Sequence, residues 1–312
     1  MTSNLTNRPL KVSHDGNSLP SLIVDPFPTH LITLDRMDEI EDFLQYPGRL
    51  LRRTLRTVRN SEGYMHFRVN DPWSLDAIEA VVELACLFRI ALMIRVPIID
   101  KPEHKLERIN EFHHMIEHVS EGQLKLIVAE SALSKEIDGV KGENEEERAA
   151  WVADAFGNAQ KVYGNSNVKF ILGGTELAQA TEAKHSNYDP LRDWSLIASV
   201  CKSSGVPISG ILQAYSVKRM IHPPTNIVEA AKFAANYLNC EFGIIPINDE
   251  TDPQSFIASR AAQTKEILQA VPSLDFLGLT TWNRKEAIPD AETYFRGCDT
   301  VIEAMRLRGG PA

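Results

Sequence analysis

The sequence predicts a single α/β domain of the (β/α)8 TIM barrel class, and two observations lead to this prediction. Eight short apolar runs recur along the 312-residue chain, and segments of helical period separate most of them. Each run is aliphatic on both alternating faces, as expected for strands that are buried on both sides of a parallel sheet. Such alternation over a chain of this length is typical of a closed parallel barrel. An open doubly wound sheet is the alternative, although no G-x-G-x-x-G motif follows a strand to favour it.

The elements follow one another in a regular order. Strands are predicted at 21–25, 64–69, 90–96, 124–129, 168–173, 208–212, 242–247 and 274–279, and a further run at 30–34 continues the first. Helices are predicted at 74–88, 103–119, 145–163, 190–205, 226–238 and 252–271, with Ser74 placed to cap the first of them. Residues 1–20 are interpreted as a flexible N-terminal arm, 21–305 as the barrel domain and 306–312 as a C-terminal tail.

Composition narrows the class of partner. The net charge of −9 and the pI of about 5.5 argue against nucleic-acid binding, which usually needs a basic surface. Charges interrupt every apolar run well before the length that a membrane span requires. The polar N-terminus lacks the apolar core of a signal peptide, and four widely spaced cysteines indicate free, buried thiols in a reducing compartment. We therefore expect a cytoplasmic protein with a small-molecule substrate, and assembly into a homo-oligomer is left open.

Polar residues at the strand ends are the candidates for chemistry, because barrel enzymes take their catalytic groups from these ends and the loops that follow. Asp25, Glu130, Glu176 and Gln213 follow or end different strands, and we expect them to converge on one mouth. Further polar residues at these ends are Arg68, Asn70, Asp71, Arg95, Tyr215, Asn248, Asp249, Thr280, Thr281 and Asn283. Asp71, Asn248 and Asp249 also fit helix capping. His114 and His118 lie on an outer helix and fit a solvated face, so no metal is expected.

Several strand ends carry fragments of a known family pattern, in the order of that family. LIVDPFP places Asp25 at the acidic position of F-E-F-F-P-P, and GILQAY places Gln213 at the glutamine of I-T-Q-x-F-F. ILGGTE with TEAK at 181–184 is similar to G-Y-P-E…P-E-A-K. GIIPI is similar to G-I-M-P-I, and TTWNR to Y-T-L-N-R. Across residues 21–284, the order of these fragments resembles the methylenetetrahydrofolate reductase family.

The departures from that pattern fall mainly on the positions that contact flavin in the family. HFRVND stands in place of S-V-T-Y-G, MIRVP lacks H-L-T-C, and VAES replaces L-R-G-D. Gly174 and Thr175 stand where the family has Tyr-Pro. The sequence therefore argues against bound FAD, and the purified protein is expected to be colourless. Without flavin, hydride would come directly from NAD(P)H.

The resemblance implies a substrate and a set of roles. The substrate would be 5,10-methylenetetrahydrofolate, reduced to 5-methyltetrahydrofolate, or a related one-carbon adduct of tetrahydrofolate. Asp25 would protonate the departing nitrogen, Glu130 would stabilise the iminium cation, and Gln213 would bind the edge of the pterin. Arg95 or Arg68 would hold an anionic group such as a glutamate tail. The remaining substrate-binding candidates are Glu176, Tyr215 and Asn283.

Two other classes of protein remain open from the sequence. One is a barrel lyase or hydrolase that uses Glu130 and Glu176 as paired carboxylates on an unrelated small molecule. The other is a barrel without catalytic activity that scaffolds a partner or senses a ligand, which the loss of cofactor motifs would fit.

Overall fold

The structure is a computed structural model, and eight parallel strands close into a barrel in the order of the sequence. It describes residues 20–27, 37–46, 48–68, 75–97, 124–130, 169–173, 190–215, 224–246, 252–279 and 290–308, together with five positions between 147 and 157. The strands are β1 Ser21–Val24, β2 Tyr64–Arg68, β3 Ala91–Pro97, β4 Leu124–Glu130, β5 Lys169–Gly173, β6 Gly210–Tyr215, β7 Glu241–Pro246 and β8 Phe276–Gly278. The predicted (β/α)8 class is confirmed, and each predicted strand overlaps an observed one.

The helices with described bounds surround the barrel. They are α1 Met37–Gln45, α2 Arg49–Asn60, α3 Leu75–Phe88, α4 Pro190–Ser203, α5 Pro224–Leu238, α6 Pro253–Ala270 and α7 Ala291–Arg308. Four of them match predicted helices, whereas the run at 30–34 and the helices predicted at 103–119 and 145–163 lie wholly or largely outside the described residues. Because α7 continues to Arg308, residues 306–308 of the predicted tail are helical. No described helix combines the length and the apolarity that crossing a membrane requires.

Alternate residues of each strand enter two different apolar cores. Six buried residues of one cluster, Ile23, Met93, Ile171, Leu212, Ile245 and Phe276, fill the inside of the barrel. Their strand neighbours, such as Leu22, Leu92 and Ile244, belong to the larger cluster between the strands and the helices. This alternation tells which strand residues face inward and which face the helices.

The helices α2 and α7 are held together at the side of the barrel near β1. Leu51, Leu55 and Val58 bury one face of α2. Arg53 on the same helix forms ion pairs with Asp299 and Glu303 of α7. These ion pairs join α7 to α2.

A polar cluster occupies the N-terminal end of the barrel. Glu241 begins β7, and burial together with the neighbouring Asp275 carboxylate raises its pKa to about 8, although Lys169 acts in the opposite direction. Burial and the charge of Glu241 also raise the pKa of Tyr64 to about 12. Glu241 Oε2 is buried and has no hydrogen-bond partner in the described part of the chain. This end therefore holds a carboxyl group that is mostly neutral at pH 7.

The four cysteines are free, as the spacing predicts, but they differ in burial. Cys201 and Cys298 are buried, and burial raises the pKa of both thiols. Cys240 is half-buried, and burial raises its pKa to about 12. Cys86 is exposed, which corrects the expectation that all four thiols are buried. Cys86 is exposed because it lies on the solvent side of α3.

Candidate functional site

Asp25, just after β1, and His66, in the middle of β2, form a buried pair inside the barrel. His66 Nδ1 lies 2.6 Å from Asp25 Oδ1, and both side chains are almost fully shielded from solvent. Asp25 follows the last residue of β1, and His66 is the third residue of β2. Asp25 therefore lies where barrel enzymes place their catalytic groups.

The strand pattern explains why His66 points to the inside of the barrel. On β2, Met65 and Phe67 belong to the cluster between strands and helices. Tyr64 packs against the cluster inside the barrel. His66 alternates with Met65 and Phe67 and thus shares the inward face with Tyr64. Because the apolar neighbours on both sides bury the outer face of β2, the imidazole is held on the inner one.

The Asp25 contact determines the protonation pattern of the imidazole. A carboxylate only accepts hydrogen bonds, so the contact at 2.6 Å assigns the proton to Nδ1. In the neutral form of the ring, Nε2 then carries a lone pair. This atom is buried and has no hydrogen-bond partner among the residues that the structure describes. A carboxylate that orients a histidine in this way prepares Nε2 to accept a proton from a ligand.

Tyr294 of α7 fixes the backbone on the other side of Asp25. Its hydroxyl donates a hydrogen bond to the main-chain oxygen of Asp25, at 2.9 Å. Burial and the charge of Asp25 raise the pKa of Tyr294 well above its ordinary value. The phenol therefore stays a donor across the whole working range of pH. Phe43 and Phe295 pack edge-to-face on the Tyr294 ring and hold it in place.

A buried arginine lies behind this arrangement. Arg260 of α6 is fully buried and donates to Gln263 Oε1 at 3.2 Å. Its positive charge lowers the pKa of Tyr294, whereas the charge of Asp25 raises it. The charge of Arg260 likewise lowers the pKa of Cys298, and the charge of Asp25 raises it. Asp25 and Arg260 therefore lie within electrostatic reach of the same buried groups, between the barrel and α7.

Gln213 lies on the other side of the barrel wall from the position expected for it. Its Cα is paired with that of Ile244, which belongs to the cluster between strands and helices. Its Oε1 accepts a hydrogen bond from Trp194 Nε1 of α4, at 3.1 Å. The expectation that Gln213 opens into the mouth beside Asp25 is thus corrected. The physical reason is strand parity, because Leu212, one residue earlier, takes the inward position on β6.

For some of the other candidates the structure gives only the position of the backbone, and the rest lie outside the described residues. Glu130 ends β4, with its Cα paired with those of Pro97 and Gly173. Arg95 and Tyr215 lie on β3 and β6, toward the C-terminal ends of these strands. Glu176 and Asn283, by contrast, lie outside the described residues, as do His114 and His118. Among the residues that the structure describes, no three potential ligands gather into a metal-binding group.

His66 is the functional candidate that sequence reasoning missed. The run YMHFRV predicts a strand, and the rule for strand ends selects only the polar residues at or after its end. The signal for His66 was present within the strand. A histidine between apolar residues of a buried strand is itself buried, and a buried imidazole needs a partner. Parity with Tyr64 would have assigned it to the inside of the barrel.

Comparisons with known proteins support the fold and no closer relationship. No protein-family model matches the sequence, and no curated protein matches it. A psychrophilic glycoside hydrolase family 10 endo-β-1,4-xylanase is similar in structure, with a TM-score of 0.52 and 11% identity over 92% of this chain and 99% of that chain. A D-tagatose 3-epimerase-like protein has a TM-score of 0.49 and 11% identity over 78% and 90% of the two chains. A fungal β-1,4-galactanase has a TM-score of 0.48 and 11% identity over 88% and 98%.

At such low identity the xylanase comparison shows the fold alone. The protein is thus a (β/α)8 barrel, with a buried Asp25–His66 pair that joins its first two strands.

Proposed function

We propose that the protein is a barrel enzyme that acts on a small molecule, with His66 as its general base. The observation that carries this proposal is the 2.6 Å contact between Asp25 and His66 inside the barrel, which leaves the lone pair of His66 Nε2 for a ligand. Among the side chains of proteins, imidazole is the one best suited to accept and return protons at physiological pH.

The chemistry that this pair supports is proton removal from the substrate. Nε2 accepts a proton from a carbon next to a carbonyl group, and the electron pair of that bond moves into the carbonyl to form an enolate. Asp25 stabilises the imidazolium that forms and keeps the ring oriented through Nδ1. The imidazolium then returns the proton to the substrate or to its leaving group. The proposed reaction is therefore of the isomerase or lyase type. Its acid–base pair is a carboxylate with a histidine, in place of the two carboxylates considered from the sequence.

Deuterium exchange tests this proposal whatever the product of the reaction is. The protein is incubated in D2O with a panel of small aldehydes, ketones, keto acids and sugar phosphates, and loss of the carbon-bound proton is followed by 1H NMR. We expect exchange with at least one class of compound. His66→Gln should slow it by about 10²- to 10⁴-fold, because the base is removed. Asp25→Asn should slow it comparably, because the amide stabilises the wrong tautomer.

The control for charge and folding is Asp42→Asn, which changes an exposed residue of α1. It should leave the exchange rate unchanged. Thermal melts of the two site variants show whether each is folded. Exchange that survives in folded His66→Gln at the rate of the unaltered protein would contradict the proposal.

The folate interpretation of the sequence stays a prediction, and so do its cofactors. Asp25 serves in both interpretations, as the acid toward a pterin or as the partner of His66. Gln213, which the folate interpretation assigned to the pterin edge, accepts a hydrogen bond from Trp194 instead. This placement removes Gln213 from the residues that support the folate interpretation. Calorimetry with tetrahydrofolate and an absorbance spectrum for bound flavin distinguish the folate interpretation from the proposed proton-transfer enzyme. Tight binding of tetrahydrofolate would restore the reductase interpretation.

A further inference from the structure

Arg260 places a positive charge in the buried layer behind the Asp25–His66 pair. Its side chain lies on α6 and is fully shielded from solvent. Its Nη1 atom lies 3.4 Å from the main-chain oxygen of Pro246, the last residue of β7, and 3.2 Å from Gln263 Oε1. An arginine keeps its proton even when it is buried. The charge of Arg260 therefore stays near the C-terminal end of β7, the same end of the barrel at which Asp25 follows β1.

The helix α7 lies close to both Arg260 and Asp25. Tyr294 donates a hydrogen bond to the main-chain oxygen of Asp25, at 2.9 Å, and Cys298 lies one helical turn further along α7. Beyond the effect of burial, the charge of Asp25 raises the pKa of both side chains and the charge of Arg260 lowers it. One face of α7 is thus within reach of both charges. The attraction between these charges is only weakly screened, because the interior contains little water.

The described neighbours of this group add little net charge. Burial raises the pKa of Tyr294 and of the Cys298 thiol, so both stay neutral at pH 7. Asp299, which also acts on Cys298, is paired with Arg53 of α2. The helix α1 and the strand β3 contribute apolar neighbours, Phe43 against the Tyr294 ring and Met93 paired with His66. Among the described side chains, the balance therefore lies between one carboxylate, one guanidinium and one imidazole.

This balance decides which form of His66 is stable. A carboxylate beside a buried imidazole favours the imidazolium, because the two opposite charges then form a neutral pair. An imidazolium carries no lone pair on Nε2 and cannot accept a proton from a ligand. When Arg260 is present, Asp25 and Arg260 already cancel each other. A proton on His66 would then leave one uncompensated positive charge in the interior.

We propose that Arg260 is a positioning residue that keeps His66 neutral in the resting protein by balancing the charge of Asp25. The proposal rests on the proposed function in one respect, since a general base needs the neutral imidazole. Arg260 does not contact the substrate and acts through Asp25. During the reaction His66 gains the proton that the substrate loses, and the enolate that forms supplies the negative charge that compensates it.

Nitrogen NMR measures the protonation state of His66 without turnover. Protein labelled with 15N in the histidine rings is examined at pH 7, and the His66 signals are assigned by their loss in His66→Gln. We expect mainly the neutral ring, with its proton on Nδ1, in the unaltered protein and mainly the imidazolium in Arg260→Met. The acidic limb of the pH profile for deuterium exchange should move upward in Arg260→Met by about one pH unit, the effect of removing one nearby charge.

Two further variants separate the charge of Arg260 from its packing. Arg260→Lys keeps the positive charge and loses the planar fork, so it should retain the neutral ring even where its stability falls. Arg59→Gln removes one exposed positive charge from α2 and should retain both the neutral ring and the pH profile. A purely structural role would lower the stability of Arg260→Met and Arg260→Lys and leave His66 neutral in both. That result, or an equal shift in Arg59→Gln, would overturn the proposal.

The double variant Asp25→Asn with Arg260→Met covers the case in which Arg260→Met does not fold. If the two charges balance each other, the double variant should fold again, because neither charge is then left alone in the interior. A double variant as unstable as the single one would overturn the proposal.

The role of Arg260 and the proposed base can fail separately. Neutral His66 in folded Arg260→Met, together with loss of deuterium exchange in His66→Gln, would defeat the role of Arg260 and leave the base standing. Imidazolium in Arg260→Met, together with exchange that survives in His66→Gln, would uphold the role of Arg260 and defeat the base.

Discussion

Glu241 should make the protein less stable as the pH rises through neutrality. Its pKa is 4.5 in the absence of the fold and about 8 in the barrel. Between these values the folded protein holds a proton that the unfolded chain releases, so the free energy of unfolding falls with increasing pH. The fall begins near pH 4.5 and is complete above pH 8. Each pH unit between the two pKa values corresponds to about 1.4 kcal/mol. Contact of this partly exposed group with solvent reduces the full difference to about 2–3 kcal/mol.

Urea unfolding at pH 5, 7 and 9 measures this change. Glu241→Gln keeps the shape of the side chain and removes its ionisation, so the variant should lose most of the decline between pH 5 and pH 9. Burial also raises the pKa of Asp275. Asp275 should therefore leave a smaller decline of the free energy of unfolding, in the same direction, in the Glu241→Gln variant. Glu266→Gln, at an exposed position of α6, is the matched control and should follow the unaltered protein. Parallel pH profiles for Glu241→Gln and the unaltered protein would refute the reasoning.

Two further predictions concern other buried groups. Gln213→Leu leaves Trp194 Nε1 buried without its acceptor and should lower the free energy of unfolding by about 1–3 kcal/mol. Gln269→Leu, at an exposed position of α6, is the control and should not lower it. Equal melting temperatures for the two variants would contradict the hydrogen bond between Trp194 and Gln213. A thiol reagent under native conditions should modify Cys86 rapidly and the other three cysteines only on unfolding. Mass spectrometry counts the modified thiols. Two or more rapidly modified thiols would contradict this order of burial.

The order of elements was predictable because strands buried on both sides are continuous apolar runs. All eight predicted runs overlap strands of the barrel, with ends that differ by a few residues. The helix Arg49–Asn60 was not predicted individually. Its sequence, RLLRRTLRTVRN, carries five arginines among its twelve residues and buries only a narrow apolar face against the barrel and α7. A helix whose polar face is so dominant gives a weak apolar signal in the sequence.

The site was predictable only in part, because sequence identifies strand ends more readily than side-chain direction. The strand-end rule selects Asp25 as the residue after a strand, and the structure places it in a buried pair with His66. The same rule selects Gln213, yet this side chain faces α4. One residue of register decides between the two faces, and an apolar run locates the end of a strand only to within a few residues. His66 was missed because it lies inside a strand and not after one.

The short ladders of β1 have a consequence for how the protein opens. Among the described residues, β1 is joined to β2 through two residue pairs and to β8 through three. The ladder is supplemented by the hydroxyl of Ser61, which accepts from the main-chain nitrogen of Leu22 at 3.0 Å. Detachment of β1 would expose the unpaired edges of β2 and β8, which are templates for intermolecular strand pairing. The same event would carry Asp25 away from His66. Opening of the barrel at β1 would then break the Asp25–His66 pair and expose these two edges in a single step.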